Sequence, residues 1–188
     1  MLSLMPWELR RFQKSGQSHF VTFCCYRRIE HLTVPGAAIV FEAALERVRR
    51  SYGVRVFGYV VMPEHVHLLL SEPVRQTLAV AIKSLKQGVS RRLIGEEAAH
   101  FWQHRYYDFN VRDYSQFMEK LRYIHRNPVT RGLCERPEQW EWSSCRHYAT
   151  GCAGSVEIES EWTANQQERE VGTLCDAIKP PHSSQPKA

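Results

Sequence analysis

The fold and the chemistry of this chain both depend on the stretch Val60-Val61-Met62-Pro63-Glu64-His65-Val66-His67-Leu68-Leu69-Leu70. A run of apolar and β-branched residues of this kind predicts a β-strand, in which residues i and i+2 point to the same face. The two histidines should therefore lie side by side, while the alternate apolar side chains face a core. Two neutral imidazoles on one rigid face can supply half of a divalent-metal site, although a strand histidine is also commonly a hydrogen-bonded core residue.

The residues on either side predict an antiparallel sheet. A strand over 54–62 is followed by the histidine strand over 65–71, and only two residues separate them, which is typical of a hairpin. Two further strands or extended segments are predicted over 19–28 and 101–111, where aromatic and β-branched residues are dense.

Three helices are predicted from apolar positions that recur at helical spacing. They cover 36–51, 76–94 and a segment that starts at Asp113 or Ser115 and ends at Asn127-Pro128, because proline disfavours continuation of a helix. The order of strands and helices predicts an α+β fold, with about four to five antiparallel strands backed by helices. Residues 131–148 are predicted to be loop.

The third helix places polar side chains beside its apolar stripe. At 100° per residue, Lys120, Tyr123 and Asn127 fall on one face next to the core positions. Tyr123 and Asn127 are one helical turn apart, so their side chains are neighbours. This face suits chemistry, and it equally suits an ordinary helix surface.

The composition favours one globular domain. The chain has 188 residues, of which 43% are hydrophobic and 24% charged, and it has no apolar run long enough to span a membrane. Neither a secretion signal nor a C-x-x-C pair is found among the residues, which favours a cytoplasmic protein with reduced thiols. We expect a single domain over 1–150 and a polar, acidic and partly disordered tail over 151–188.

The charge distribution favours a polyanionic partner. The formal net charge of +5 combines a basic body, +8 over residues 1–152, with an acidic segment over 153–188. Nucleic acid is the simplest partner of such a body. The predicted contacts to DNA are the cations of the second helix and two further basic residues: Lys83, Lys86, Arg91, Arg92, Arg105 and Lys120. A solvated helix face is the common alternative for the cations of the second helix.

Four motifs in order resemble a known family. They are Met62-Pro63-Glu64-His65-Val66-His67, Trp102-Gln103-His104-Arg105-Tyr106-Tyr107-Asp108, Tyr123-Ile124-His125-Arg126-Asn127-Pro128-Val129 and Trp140-Glu141-Trp142-Ser143-Ser144. Over residues 15–148 the chain is similar to the single-tyrosine HUH transposases, most closely to the bacterial transposases associated with repetitive extragenic palindromes (REP). Each motif alone is weak, and the four together are specific.

The resemblance implies a ferredoxin-like core of HUH-endonuclease type and a site on it. Tyr123 is the implied nucleophile, and His65, His67 and Asn127 are the implied ligands of Mg²⁺ or Mn²⁺. The implied activity is cleavage and rejoining of single-stranded DNA at hairpin-bearing repeats through a 5′-phosphotyrosine. A monomer is expected in preference to a homodimer. The protein is expected in the bacterial cytoplasm, in association with the nucleoid.

Some alternatives stay open at this point. Tyr106, Tyr107 and Tyr114 compete with Tyr123 as the nucleophile, although none of them has an amide residue at i+4 on a predicted helix. A non-catalytic ferredoxin-like module that binds nucleic acid, such as a domesticated or inactive transposase, also fits the basic, aromatic-rich body. Such a module leaves the histidine pair without a role. A cupin-like barrel needs many short strands with glycine turns, which ten glycines and three long helices exclude.

Overall fold

The structure, a computed structural model, describes residues 17–95 and 100–160. Its regular elements are β1 Ser18–Cys24, α1 Ala37–Tyr52, β2 Val56–Val61, β3 His65–Ser71, α2 Leu78–Ile94, β4 Tyr107–Val111, α3 Tyr114–Thr130 and α4 Cys145–Thr150. The four strands form one antiparallel sheet in the order β2-β3-β1-β4, so β3 and β1 are central. This strand order and the β-α-β-β-α-β chain order confirm the predicted ferredoxin-like α+β fold.

Strand β3 is buried on both faces of the sheet. Its residues Val66, Leu68 and Leu70 face α1 and α2 within the larger core cluster, whereas Leu69 packs with residues of α3 in a second cluster. The histidines alternate with the first group, so they point to the face that α3 covers. The predicted side-by-side placement of the histidine pair is confirmed.

Helix α3 does not stop at Pro128, and the predicted helix end there is wrong. A proline inside a helix removes one backbone donor, at a cost of about 3 kcal/mol. Here Pro128 is buried, and the backbone N–H groups of Arg131 and Leu133 donate to the carbonyls of Asn127 and Pro128 at 3.0 and 2.9 Å. These contacts keep one further helical turn, which ends at Thr130.

Three other boundaries differ from the prediction. Strand β1 ends at Cys24, and Tyr26–Arg28 form a 3₁₀ turn in place of the predicted strand end. Within 101–111 only Tyr107–Val111 is a strand, and Trp102 adds an isolated bridge to Cys25. The predicted loop over 131–148 contains a 3₁₀ turn at Pro137–Gln139 and the start of α4, which local sequence periodicity is too short to predict.

The described end of the chain returns to the core. Val156 and Ile158 are buried in the larger cluster, and Glu157 pairs with Arg49 on α1 at 2.5 Å. The remainder of the predicted acidic tail, residues 161–188, lies outside the described residues. Within residues 17–95 and 100–160, no helix is both long and apolar enough to cross a membrane.

Candidate active site

The histidine pair forms the floor of a groove between the sheet and α3. The Nε2 atoms of His65 and His67 are 3.0 Å apart, and both side chains are almost fully buried. The Nδ1 atom of His67 lies 2.7 Å from the hydroxyl oxygen of Thr22, and the Nδ1 atom of His65 lies 3.1 Å from a carboxylate oxygen of Glu64. With both Nδ1 atoms next to protein oxygens, the tautomers that fit best keep the proton on Nδ1 and leave the Nε2 lone pairs free.

Burial keeps both rings neutral. Desolvation, reinforced by the neighbouring His65, lowers the pKa of His67 to about 3. Desolvation also lowers the pKa of His65, although the carboxylate of Glu64 acts in the opposite direction. Neutral imidazoles are the form that binds a metal ion.

Asn127 completes a donor set that suits a divalent cation. Its Nδ2 atom lies 3.4 Å from Nε2 of His67, and its Oδ1 atom is buried with no hydrogen-bond partner. A 180° flip of the Asn127 side-chain amide would exchange its nitrogen and oxygen and would present Oδ1 to the Nε2 atoms of His65 and His67. No three His, Cys, Asp or Glu side chains in the described part of the chain converge on a metal position.

Tyr123 lies directly against the histidine pair. Its ring meets the ring of His67 edge-on, with centroids 5.1 Å apart, and makes a similar contact with Phe20 at 5.8 Å. Phe20 in turn stacks on His67 at 5.4 Å. The side chain of Tyr123 is 49% exposed, so its ring is held in position while the groove side stays open to a substrate.

Glu64 has a larger role than its position in a turn predicts. The carboxylate is buried, lies beside His65 and forms an ion pair with the Arg131 guanidinium, with 2.9 Å between nitrogen and oxygen. Burial raises the pKa of Glu64, but the contact with His65, a backbone hydrogen bond and the positive charge of Arg131 together outweigh burial and lower the pKa overall. Arg131 is 67 positions away in sequence and reaches Glu64 only because α3 continues past Pro128, so no local pattern could predict the pair.

The groove is strongly cationic. Its volume is about 730 Å³, and among the described residues its lining has one carboxylate, Glu119. The cationic residues that line it are Arg28, Lys120, Arg122, Arg126 and Arg131. Sequence reasoning named only Lys120 of these. Helical spacing could have found Arg122 and Arg126, which flank Tyr123 at i−1 and i+3 on α3.

The other predicted DNA contacts lie away from this groove. Lys83, Arg91 and Arg92 are exposed on α2, which packs on the opposite face of the sheet, and Arg105 is exposed before β4. The ammonium group of Lys86 donates to the backbone carbonyls of Gln103 and His104, at 2.6 and 3.2 Å. Within the groove, Lys120 pairs with Glu119 at 2.9 Å and lies over the rings of Phe20 and Phe109.

The competing tyrosines occupy different places. Tyr107 lines the same groove and is 51% exposed, so it remains geometrically comparable to Tyr123. Tyr106 packs against the core, and Tyr114 is exposed at the start of α3. His125 lies 2.9 Å from the hydroxyl of Ser144 and does not line the groove.

Comparison with known proteins supports the motif-based resemblance. The family described as "Transposase IS200 like" matches residues 13–127. A Haemophilus influenzae protein named provisionally as a REP-associated tyrosine transposase is 27% identical over 147 residues, covering 72% of this chain and 82% of the relative. The REP-associated tyrosine transposase of Escherichia coli is 22% identical over 138 residues, covering 73% of this chain and 81% of the relative.

One solved structure has the same fold. It is a REP-associated tyrosine transposase bound to a REP hairpin, with a TM-score of 0.66 and 22% sequence identity. The match covers 81% of this chain and 92% of the other. Its antiparallel sheet with helices corresponds to the architecture described above.

Proposed function

The chain belongs to the IS200-like transposase family, and we propose that it cuts and rejoins single-stranded DNA through a covalent tyrosine intermediate. The observation that carries the proposal is the contact of Tyr123 with His67, at 5.1 Å between ring centroids, in a groove whose lining includes five cationic side chains and one carboxylate. A nucleophile, a metal-binding donor set and a binding surface for phosphates would then share one groove.

The reaction is a phosphoryl transfer to the tyrosine. The hydroxyl of Tyr123 loses its proton, and its oxygen attacks the phosphorus of one phosphodiester. A bond forms between this oxygen and phosphorus while the bond from phosphorus to the 3′ oxygen breaks, and that oxygen takes up a proton. The product is a 5′-phosphotyrosine and a free 3′-hydroxyl. Attack by a 3′-hydroxyl on the phosphotyrosine reverses the step and releases Tyr123.

A divalent cation such as Mg²⁺ or Mn²⁺, held by His65, His67 and Asn127, would supply Lewis acidity at the phosphate. The protein's part is to position these ligands. The hydroxyl of Thr22 holds the ring of His67 at Nδ1, the carboxylate of Glu64 lies 3.1 Å from Nδ1 of His65, and Arg131 forms an ion pair with Glu64. The half-exposed ring of Tyr123 remains accessible to the phosphate.

The substrate we propose is a single strand that carries a hairpin of the REP type. The solved relative binds a REP hairpin, and the groove here is open and cationic, which suits a phosphodiester backbone. The exposed cations of α2, on the other face of the sheet, are proposed to contact the folded part of the DNA. A monomer acting on cytoplasmic DNA is the expected working form.

The test is formation of a covalent protein–DNA adduct. Labelled single-stranded hairpin oligonucleotides, taken from repeats that flank the gene, are incubated with the full chain with and without Mn²⁺ and separated under denaturing conditions. Wild type should give a metal-dependent adduct, and Tyr123→Phe should give none while it still binds DNA. Tyr107→Phe is the matched control, because Tyr107 is equally exposed in the same groove.

Each alternative outcome has a clear meaning. An adduct that survives in Tyr123→Phe and disappears in Tyr107→Phe would move the nucleophile to Tyr107. Binding without an adduct, across several hairpins and both metals, would instead support a non-catalytic DNA-binding protein of the same fold.

A further inference from the structure

The turn that follows β1 holds two consecutive arginines in the left-handed region. Arg27 has φ 52° and Arg28 has φ 56°. A residue with a Cβ is strained in this region, and glycine adopts it at no steric cost. Strained residues persist where the surroundings fix the backbone, and they are concentrated at functional sites. Two arginine side chains are therefore present here at a cost to the backbone.

The turn is fixed to Pro63 and Glu64, which directly precede the histidine strand β3. The backbone N–H of Cys25 donates to the carbonyl of Glu64 at 2.8 Å, and that of Leu32 donates to the carbonyl of Pro63 at 3.0 Å. On the other side, the N–H of Tyr26 donates to the carbonyl of Phe101 at 2.9 Å. These bonds set the position of the turn relative to His65, the residue after Glu64.

The two arginines differ in where their side chains lie. Arg28 lines the groove together with His65, His67 and Tyr123, whereas Arg27 lies over the ring of Tyr26 at 5.3 Å and does not line the groove. Both residues are exposed and share the same backbone strain. They therefore form a natural pair of test and control positions.

The charge of Arg28 is available for a ligand. Two other cations of the groove are already paired with carboxylates, Arg131 with Glu64 and Lys120 with Glu119. Within residues 17–95 and 100–160, no carboxylate lies within ion-pair distance of the Arg28 guanidinium. A guanidinium beside a metal-binding donor set suits an anion with two oxygens in one plane.

We propose that Arg28 binds the non-bridging oxygens of the phosphate that is cleaved. This inference rests on the proposed function, because it assumes that a phosphodiester enters the groove. Arg28 would approach the phosphate from the sheet side while Tyr123 attacks from α3. Two of its N–H groups would stabilise the negative charge that develops on those oxygens as the bond to the 3′ oxygen breaks.

The first experiment compares Arg28→Gly with Arg27→Gly. Each substitution relieves one strained residue, so each variant should melt at or above the temperature of the wild type. Arg28→Gly should lose cleavage of the hairpin oligonucleotide by about 100-fold or more, whereas Arg27→Gly should cleave at a rate close to the wild type. Arg28→Lys keeps the charge and loses the planar guanidinium, so its cleavage rate should lie between the rates of Arg28→Gly and Arg27→Gly.

A second measurement does not depend on cleavage. In a Tyr123→Phe background, binding of the same oligonucleotide is measured as a function of salt concentration. Removing one contact to a phosphate of single-stranded DNA should reduce the slope of log affinity against log salt by about 0.7. Arg28→Gly should show this reduction, and Arg27→Gly should not.

The two experiments separate the inference from the function it rests on. If wild type forms no adduct, the proposed function fails, and the salt slope alone decides whether Arg28 contacts a phosphate. An unchanged slope in Arg28→Gly would overturn the proposal. Cleavage of wild-type rate in Arg28→Gly, or an equal loss in Arg27→Gly, would overturn it as well.

Discussion

Replacing Thr22 with valine removes the hydrogen bond that holds the ring of His67 while it preserves the shape of the side chain. Thr22 lies on β1 directly opposite His67 on β3, and its hydroxyl oxygen is 2.7 Å from Nδ1 of that ring. Valine is β-branched like threonine and suits a strand, so the sheet should form as before. The change therefore isolates a single polar contact.

The expected loss follows from the burial of His67, which is 4% exposed. Without the hydroxyl, Nδ1 is a buried polar atom with no partner, which costs about 1–3 kcal/mol. The proton can then move to Nε2, the atom that would face the cation. Loss of a supporting contact of this kind typically lowers metal affinity about 10–100-fold, which corresponds to about 1.4–2.7 kcal/mol of binding free energy.

The assay is a calorimetric titration of the full chain with Mn²⁺ near neutral pH. Thr22→Ser is the matched control, because serine retains the hydroxyl, and it should bind Mn²⁺ with an affinity close to the wild type. Thr22→Val should bind more weakly by the factor given above. Equal Mn²⁺ affinity in all three proteins would refute the idea that Thr22 prepares His67 as a ligand.

Two further predictions concern stability and DNA contacts. Burial lowers the pKa of His19, but its 2.8 Å contact with Asp108 and the nearby Glu72 outweigh burial and raise the pKa above the unfolded value of 6.5. The stabilisation from protonated His19 is then complete below pH 6.5 and is lost as pH rises through the pKa of the folded state. In urea titrations, His19→Gln should therefore reduce the free energy of unfolding more at acidic than at alkaline pH. An equal reduction at both pH values would contradict this prediction. Lys86→Met removes two hydrogen bonds from the ammonium group to exposed backbone carbonyls, which water can replace in part, and should reduce the free energy of unfolding by about 0.5–1.5 kcal/mol. Lys83 is exposed on the same helix, so Lys83→Met should leave the free energy of unfolding unchanged and weaken hairpin binding. A loss of stability in Lys83→Met together with unchanged stability in Lys86→Met would contradict this prediction.

The parts of the site that could be predicted from sequence are those set by local geometry. His65 and His67 are two residues apart on a strand, and Tyr123 and Asn127 are four apart on a helix, so the period of each element places the pair on one face. The strand and helix patterns also contain the order of elements that defines the ferredoxin-like fold. The side-by-side histidines and the antiparallel sheet are confirmed by the structure.

The missed parts depend on register and on chain reversals. Thr22 reaches His67 only because β1 and β3 pair in one register, which the composition of the two strands does not determine. Arg131 reaches Glu64 because burial of Pro128 outweighs the general tendency of proline to end a helix. Arg28 enters the groove through a strained turn, which is unusual for a residue other than glycine.

The assignment of Tyr123 as the nucleophile is tested by locating the residue to which the DNA becomes linked. The covalent adduct is digested with nuclease and trypsin, and the peptide that carries a nucleotide is identified by mass spectrometry. Arg122 and Arg126 flank Tyr123, so trypsin releases it within residues 123–126, whereas Tyr106 and Tyr107 fall together in residues 106–112. We predict the nucleotide mass on the 123–126 peptide, at the phenolic oxygen of Tyr123. A nucleotide on the 106–112 peptide, or on no tyrosine, would contradict a nucleophilic role for Tyr123.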